Sequence, residues 1–486
     1  MQKRLWLHRS VGIGMFLLAC TGALAQDINA GARGVAPANA PPDVLDLSRA
    51  WRLALEYDHV YRAAISGQAA SQTERAQGRA GLLPQIHAVY HRSRVRGSAT
   101  HLEFLDGPAG SRLDYDSYNA YVQLQQPLLN HGRHADYRRG HARADLGTAV
   151  FEVERQDTGI RLATAYFNTL LAYDGLALQR SLTMSLQHQL AAIETLYRRH
   201  EAMRIDVQET EARLAVARAD LIDAADQWTV ALRELEALLG TVPTHVAALR
   251  DDFALQPLAP ATLNDWLGKA QAHNANVRAG RLALAVANTE VDVASSRYMP
   301  TTDLVAAYGR SKSEDLSSLS QRTNSFSIGI QISIPLFAGG YNKANVARSR
   351  ADQMRLQHEL RATLERTEAE VTRHYTNVLA GADHIQALRA AVASGELSLH
   401  AVQRGYTVGV SSNLEVLKVQ DRLYQTRYEL AQAQLEYLLA RLKLAAASGQ
   451  LHSGTFDEIN DAYLDKVVSL SGGGHRESVL LARSNP

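Results

Sequence analysis

Residues 325–340 read SFSIGIQISIPLFAGG. Phe326, Ile328, Ile330, Ile332 and Ile334 alternate with Ser325, Ser327, Gly329, Gln331 and Ser333, until Pro335 and two glycines end the pattern. A period of two places the apolar side chains on one face of a β-strand and the small polar ones on the other. Such a strand is half-buried in a soluble sheet or half-immersed in lipid. Three features favour lipid. About ten residues tilted by roughly 45° cross a hydrocarbon core. Tyr90, Tyr115, Tyr118, Tyr121, Tyr298 and Tyr308 cluster in or beside the segments read as strands, where interfacial girdles form. The Ser, Gly and Gln face suits a water-filled interior. His87, His91 and Arg92 then need the lumen side or the membrane interface.

The strands are expected at 84–94, 118–127, 302–310 and 325–334. Their connections, GSATHLEFLDGPAGSRLDYD (97–116) and SKSEDLSSLSQRTN (311–324), are polar and read as exposed hairpin tips. Four strands cannot close a barrel, and an open edge in lipid leaves backbone groups unsatisfied at several kcal/mol each. If these strands span a membrane, copies of the chain must pool them. Two copies give eight strands and three give twelve; eight leaves little interior, whereas twelve leaves a channel.

The remainder reads as helix. No proline falls between Leu128 and Val242, or between Leu336 and Asn485, and proline costs about 3 kcal/mol inside a helix. Each half of the chain follows one order. A helix comes first (47–80 and 264–297, with Ser48 and Asn264 as candidate N-caps). Two strands follow, then a very long helix (131–198 and 341–407), an interruption, and another long helix (206–239 and 415–447). Residues 131–198 as one helix extend about 100 Å, over three times the hydrocarbon thickness. Being amphipathic, such helices stand in water beneath a barrel, as a duct across an aqueous compartment.

The two halves are copies. A shift of 209 takes Tyr166 to Tyr375, Asn168 to Asn377, Tyr197 to Tyr406, Asp206 to Glu415 and Gly240 to Gly449. Upstream, a shift of 216 takes Leu47 to Leu263, Ala54 to Ala270 and Pro84 to Pro300. The repeats are set at 44–240 and 263–449, joined by a linker at 241–262 and followed by a C-terminal tail at 450–486. A 3-4 seam runs through Val416, Val419, Leu423, Thr426, Leu430, Ala433, Tyr437, Ala440, Leu444 and Ala447. Its counterpart is Val207, Thr210, Leu214, Ala217, Leu221, Ala224, Trp228, Ala231, Leu235 and Leu238. That spacing is a coiled-coil signature.

At the N-terminus MQKRLWLHR is basic, 11–19 is apolar, and ALAQ (23–26) offers a small-x-small cleavage site. Residues 1–25 therefore read as a signal peptide and 26–43 as a flexible leader. Cys20 in LLAC is an alternative lipoprotein cleavage point, although Leu18 is unusual two places before such a cysteine. Net charge is +1, which gives no electrostatic footprint for nucleic acid. His131 and His134 lack a carboxylate partner for a metal, and HExxH and GxxxxGK are absent. No catalytic, cofactor-binding or metal-ligating residues are assigned, and an enzyme has nothing to rest on.

GLLPQIHAVY, YVQLQQPLLNHGR, TAYFNTLLAYDGL, YMPTTDLVAAYG, IGIQISIPLFAGG and GYTVGVSSNLEVLKVQDRLYQTRYELAQAQLEYL resemble the TolC family of outer-membrane channels. The resemblance covers 44–450, in order and in both repeats. It implies an α+β membrane protein: a homotrimeric twelve-stranded barrel in outer-membrane lipid, four strands per protomer, continued by a long periplasmic α-helical coiled-coil barrel. It also implies partners, a periplasmic adaptor (membrane fusion protein) and an inner-membrane ABC or RND transporter. The expected role is the exit duct of type I protein secretion, with tripartite small-molecule efflux as the alternative. A non-transporting coiled-coil surface protein is a third reading, which would not need a strand pair in each repeat.

By the same resemblance the periplasmic tips lie at the two helix interruptions. The family's Tyr-x-Val-Gly turn is intact as Tyr406, Val408 and Gly409, followed by Val410 and Ser411. In the first repeat Arg199 and His200 replace Val and Gly, followed by Glu201, a departure expected to alter adaptor docking. Asp206 and Glu415 stand where acidic residues ring the family's narrowest lumen, and bonds among Tyr406, Asp206 and neighbours are expected to hold it shut. A second acidic position is Lys418, and Ser411 replaces the family's basic residue. A charge pair between Glu209 and Lys418 is expected in its place.

Overall fold

The computed structural model describes residues 44–103, 107–314 and 320–470. The signal peptide, the leader with Cys20, and the glycines at 472–474 lie outside them. The elements are β1 (Val44–Leu45), α1 (Leu47–Tyr57), α2 (His59–Ala80), β2 (Gln85–Glu103), β3 (Gly107–Asn130), α3 (His131–Arg198), α4 (Arg204–Leu239) and β4 (His245–Leu249). Next come α5 (Leu263–His273), α6 (Ala275–Ser296), β5 (Thr301–Glu314), β6 (Ser320–Ser333), α7 (Tyr341–Thr407), α8 (Asn413–Ala447), α9 (Ser453–Tyr463) and β7 (Leu464–Ser469).

The opening helix of each repeat is broken rather than continuous. Asp58 and Asn274, separated by the same 216 positions, are extended. Each side chain accepts a hydrogen bond from a backbone N–H two or three residues on, Val60 N and Val277 N, both at 3.0 Å. A buried Asp or Asn that caps the next segment stops one helix and starts another. Arg161 neutralises Asp58 at 2.6 Å. The first N-caps are Asp46 and Thr262, so Ser48 and Asn264 already lie inside the first turn.

β2, β3, β5 and β6 form an antiparallel sheet in that order. The first hairpin is longer than its sequence suggests, pairing out to Glu103 and Gly107. Directly paired residues share a face, which assembles rows such as Ile86–Leu124–Ala306–Ile328 and Ala88–Val122–Tyr308–Phe326. The opposite face carries His87–Gln123–Ala307–Ser327 and Val89–Tyr121–Gly309–Ser325. In the protomer Ile328, Ile330 and Ile332 are each about two-thirds exposed, and among the described residues the outer edges of β2 and β6 have no partner strand. His87 and His91 fall on the polar face and Arg92 on the apolar one.

α3 is 68 residues long, about 100 Å at 1.5 Å per residue. It packs against α2 and α6 nearer the sheet and against α4 and α8 farther away; α7 packs against α6 and α8. Close approach of α2 and α3 depends on Gly140, where a Cβ would lie 2.4 Å from the Glu74 carbonyl. The seam is mostly buried as its spacing predicts, Leu423, Tyr437, Leu444, Leu214, Trp228 and Leu235 included. Between the two sets of helix pairs lies the main core, where Trp51 stacks on Phe456 with centroids 5.0 Å apart.

This waist is built partly from segments that carry no repeat. β4, from the linker, pairs with β1 in parallel and with β7 antiparallel. α9 and β7 come from the stretch read only as a tail. Buried Tyr166 donates to the Ala247 carbonyl at 2.6 Å, tying the small sheet to α3. Its repeat equivalent Tyr375 donates to the Ala261 carbonyl at 2.7 Å.

Candidate functional site

The end of the helices farthest from the sheet is formed by two turns, one per repeat. His200 N donates to Tyr197 O (2.9 Å) as Gly409 N donates to Tyr406 O (3.1 Å), and Glu201 N donates to Leu196 O (2.9 Å) as Val410 N donates to Gly405 O (2.8 Å). The left-handed position also recurs: φ is 61° at His200 and 78° at Gly409. A non-glycine residue there carries a cost of roughly 1–2 kcal/mol. The histidine preserves the turn at that cost and changes what it displays. One tip shows Arg199, His200 and Glu201. The other shows Val408, Gly409 and Val410, with Ser411 half-buried behind them. Val408 and Val410, like Met203 and Ile205 beside the first tip, are strongly exposed apolar side chains.

The helices that leave the turns start differently. Ser412 Oγ accepts from Glu415 N at 3.2 Å. Met203, its repeat equivalent, has no cap to offer, and the Asp206 carboxylate reaches back to accept from Met203 N at 3.1 Å. Asp206 is thus engaged at its own helix start, and among the described residues no hydrogen bond joins it to Tyr406. Tyr406 is close enough to feel it: partial burial first, and the Asp206 charge second, push the phenol above its ordinary pKa. Tyr406 stays neutral.

The expected Glu209–Lys418 pair does not form within the protomer. Lys418 is exposed in a groove with Ser398 and Glu429. The ion pair that links the two helices lies a turn farther along, Arg213 to Asp421 at 2.7 Å and half-buried. It lies beside Leu214 and Leu417, which are buried in the contact between the helices.

Sequence reasoning missed the residue that makes most of the polar contacts here, Asn413. It is fully buried. Its Oδ1 accepts from Gln189 Nε2 of α3 at 2.9 Å, and its Nδ2 donates to Thr210 Oγ1 at 2.9 Å and Asp206 O at 3.3 Å, both on α4. Farther along α8, Gln420 Nε2 donates to Ser185 Oγ at 3.0 Å, and Tyr424 shares a hydrogen bond with Ser181 at 3.1 Å. Positions 413, 420 and 424 follow heptad spacing, and polar residues on such a stripe fix register. That spacing was the available signal.

Among the described residues no group of His, Cys, Asp or Glu could hold a metal. No described helix is long and apolar enough to cross a membrane.

A sheet with two open edges and one apolar face, carrying antiparallel helices about 100 Å long, defines the protomer of a shared membrane duct. The chain belongs to the outer membrane efflux protein family, whose model matches residues 51–241 and 266–450. It is 33% identical to the alkaline protease secretion protein AprF of Pseudomonas aeruginosa, over 85% of each chain. It is 31% identical to the proteases secretion protein PrtF of Dickeya chrysanthemi, over 84% of this chain and 89% of that one. The crystal structure of the outer membrane protein VceC from Vibrio cholerae matches with a TM-score of 0.70 at 18% identity, covering 83% and 96%. The protein is accordingly an outer-membrane channel of the TolC type with a large periplasmic tunnel. The family's architecture, three protomers pooling four strands each, supplies partners for the free edges of β2 and β6.

Proposed function

We propose that this channel is the exit duct of a type I protein secretion system, joined to an inner-membrane ABC transporter by a periplasmic adaptor. What carries this reading is its likeness to two proteins named for protease secretion, extending over at least 84% of the chain. The two tips are the adaptor-docking surface, an apolar one at Val408, Gly409, Val410 and Ser411 and a charged one at Arg199, His200 and Glu201. Asp206, Glu209, Tyr406, Glu415 and Lys418 line the periplasmic gate, and the α8 contacts to α3 and α4 through Asn413 hold it closed. The unequal tips support an adaptor that distinguishes the repeats.

The family's description as efflux proteins favours a second reading, small-molecule extrusion with an RND pump. Deleting the gene in the producing strain separates the two. Loss of one or more proteins from the culture medium, with unchanged tolerance of dyes and antibiotics, is the expected result. Unchanged secretion with lowered tolerance would transfer the protein to efflux. Absence of any conductance from the purified protein in planar bilayers would remove both.

A further inference from the structure

The four-stranded sheet sorts its cations as strictly as its isoleucines. Arg92, Arg94 and Arg96 of β2, Arg310 and Lys312 of β5, and Arg322 of β6 all share the face of Ile328 and Ile330. These are all the arginines and lysines in the strand stretches 85–98, 114–130, 301–312 and 322–333, so the lumen face of those stretches has none. Solvation alone predicts the reverse, because a water-filled interior accommodates a cation more easily than a lipid-facing wall.

Their level is equally ordered. Arg92, Tyr118, Lys312 and Arg322 form one cross-strand row. The row beneath is Tyr90, Ala120, Arg310 and Asn324, and beneath that lies the apolar row of Ala88, Val122, Tyr308 and Phe326. Arg310 Nη2 donates to the Tyr308 hydroxyl at 3.3 Å. The cations therefore begin level with the upper tyrosines, Tyr90 and Tyr118, and continue toward the hairpin tips and away from the periplasmic helices, which is the outer-leaflet side. On the first hairpin the guanidinium groups meet carboxylates: Arg92 with Asp116 at 3.2 Å, and Arg94 and Arg96 with Asp114 at 3.0 and 3.5 Å. On the second hairpin Arg310 and Arg322 are exposed with no carboxylate partner among the described residues. With strands about 4.8 Å apart, the four positions of the upper row span roughly 14 Å.

We propose that Arg310, Lys312 and Arg322, with Arg92 alongside, form a phosphate-binding belt for lipid A, the phosphorylated headgroup of outer-leaflet lipopolysaccharide. Guanidinium groups bind phosphate oxygens in bidentate fashion. Basic clusters at a membrane surface attract anionic lipid headgroups. Acyl chains of the same lipid would lie along Ile328 and Ile330 below. The belt fixes the depth of the barrel in the asymmetric membrane. It rests on the outer-membrane location and is independent of whether the cargo is protein or small molecule.

The test uses purified full-length trimers and native mass spectrometry. The probes are bisphosphorylated lipid A, enzymatically dephosphorylated lipid A and phosphatidylglycerol. Wild type, and a charge-matched control with Arg350→Gln, Arg361→Gln and Arg373→Gln on α7, should retain bisphosphorylated lipid A about tenfold better than either other lipid. The Arg310→Gln/Lys312→Gln/Arg322→Gln protein should lose that preference to within about twofold. Equal retention of all three lipids by wild type, or a preference that survives in the triple variant, overturns the proposal. Should the variant not assemble, the wild-type comparison between the phosphorylated and dephosphorylated lipids decides alone.

Discussion

Asn413 offers the sharpest test of the proposed periplasmic gate. Its amide is wholly buried and joins α8 to Gln189 on α3 and to Thr210 and Asp206 on α4. Replacing it by alanine removes three hydrogen bonds and strands the Gln189 amide and one lone pair of the Asp206 carbonyl. A buried polar group left unpartnered costs about 1–3 kcal/mol. Three bonds are lost but water can reach a tip, so the middle of that range applies, and about 2 kcal/mol is expected per protomer. That is roughly a thirtyfold shift toward the open arrangement for one protomer, and a larger shift if three protomers open together. Single-channel recording should show Asn413→Ala trimers with longer and wider openings, and cells carrying it should admit a large antibiotic that wild type excludes. Thr210→Val should give a smaller effect, and the double variant less than the sum, because the two side chains share one bond. Wild-type conductance from a correctly assembled Asn413→Ala trimer would show that these contacts do not hold the gate.

Three other outcomes follow from the same structure. At Gly409 an added Cβ would meet no other atom within 4 Å, so Gly409→Ala should destabilise the tip by about 1–2 kcal/mol through backbone conformation alone; hydrogen exchange over 406–411 should rise, and unchanged protection would refute the left-handed turn. Burial pushes the Asp174 carboxyl up to about 6, against the opposing pull of Lys466. Its raised pKa means that the folded state is favoured below the ordinary carboxylate value near 4 and loses that advantage as pH rises through about 6. Asp174→Asn should therefore raise the melting temperature at pH 7.5 by an amount worth up to about 3 kcal/mol and leave it unaltered at pH 4; an equal gain at both pH values would remove the carboxylate from the account. With Lys418 in the proposed gate, Lys418→Asp adds negative charge there and should strengthen cation preference in bilayer recordings, and an unchanged reversal potential would place Lys418 outside the conduction path.

How much of this was legible depended on whether a pattern was periodic. The isoleucine alternation, the proline-free tracts and the 3-4 seam are repeated many times, so each long element was readable and its face predictable. A single residue that alters the path of the chain leaves no such trace. Asp58 and Asn274 sit within sequence that suits a helix, and only their identity as capping residues, together with the 216-residue shift, marks the break. The waist was invisible for a different reason. β4, α9 and β7 are short, unrepeated and stabilised by contacts with residues hundreds of positions away, as in Leu47 N donating to Asn460 Oδ1 at 3.3 Å. At the tips the turns were located correctly, but partner choice was not. Arg213 was passed over for Glu209, because distance along a helix does not reveal which side chain projects into the seam.

The small waist sheet has a consequence for biogenesis. Its central strand comes from the middle of the polypeptide, while its flanking strands come from the beginning and from residues 464–469. Nothing made early can finish it, since the last strand emerges from the ribosome and from the export machinery after every other described element. Pairings of such long sequence separation form slowly. The girdle is therefore fastened last, like a belt buckled after dressing, and a chain interrupted during export is left with its middle undone, open to proteolytic clearance before it can join two intact siblings in the envelope.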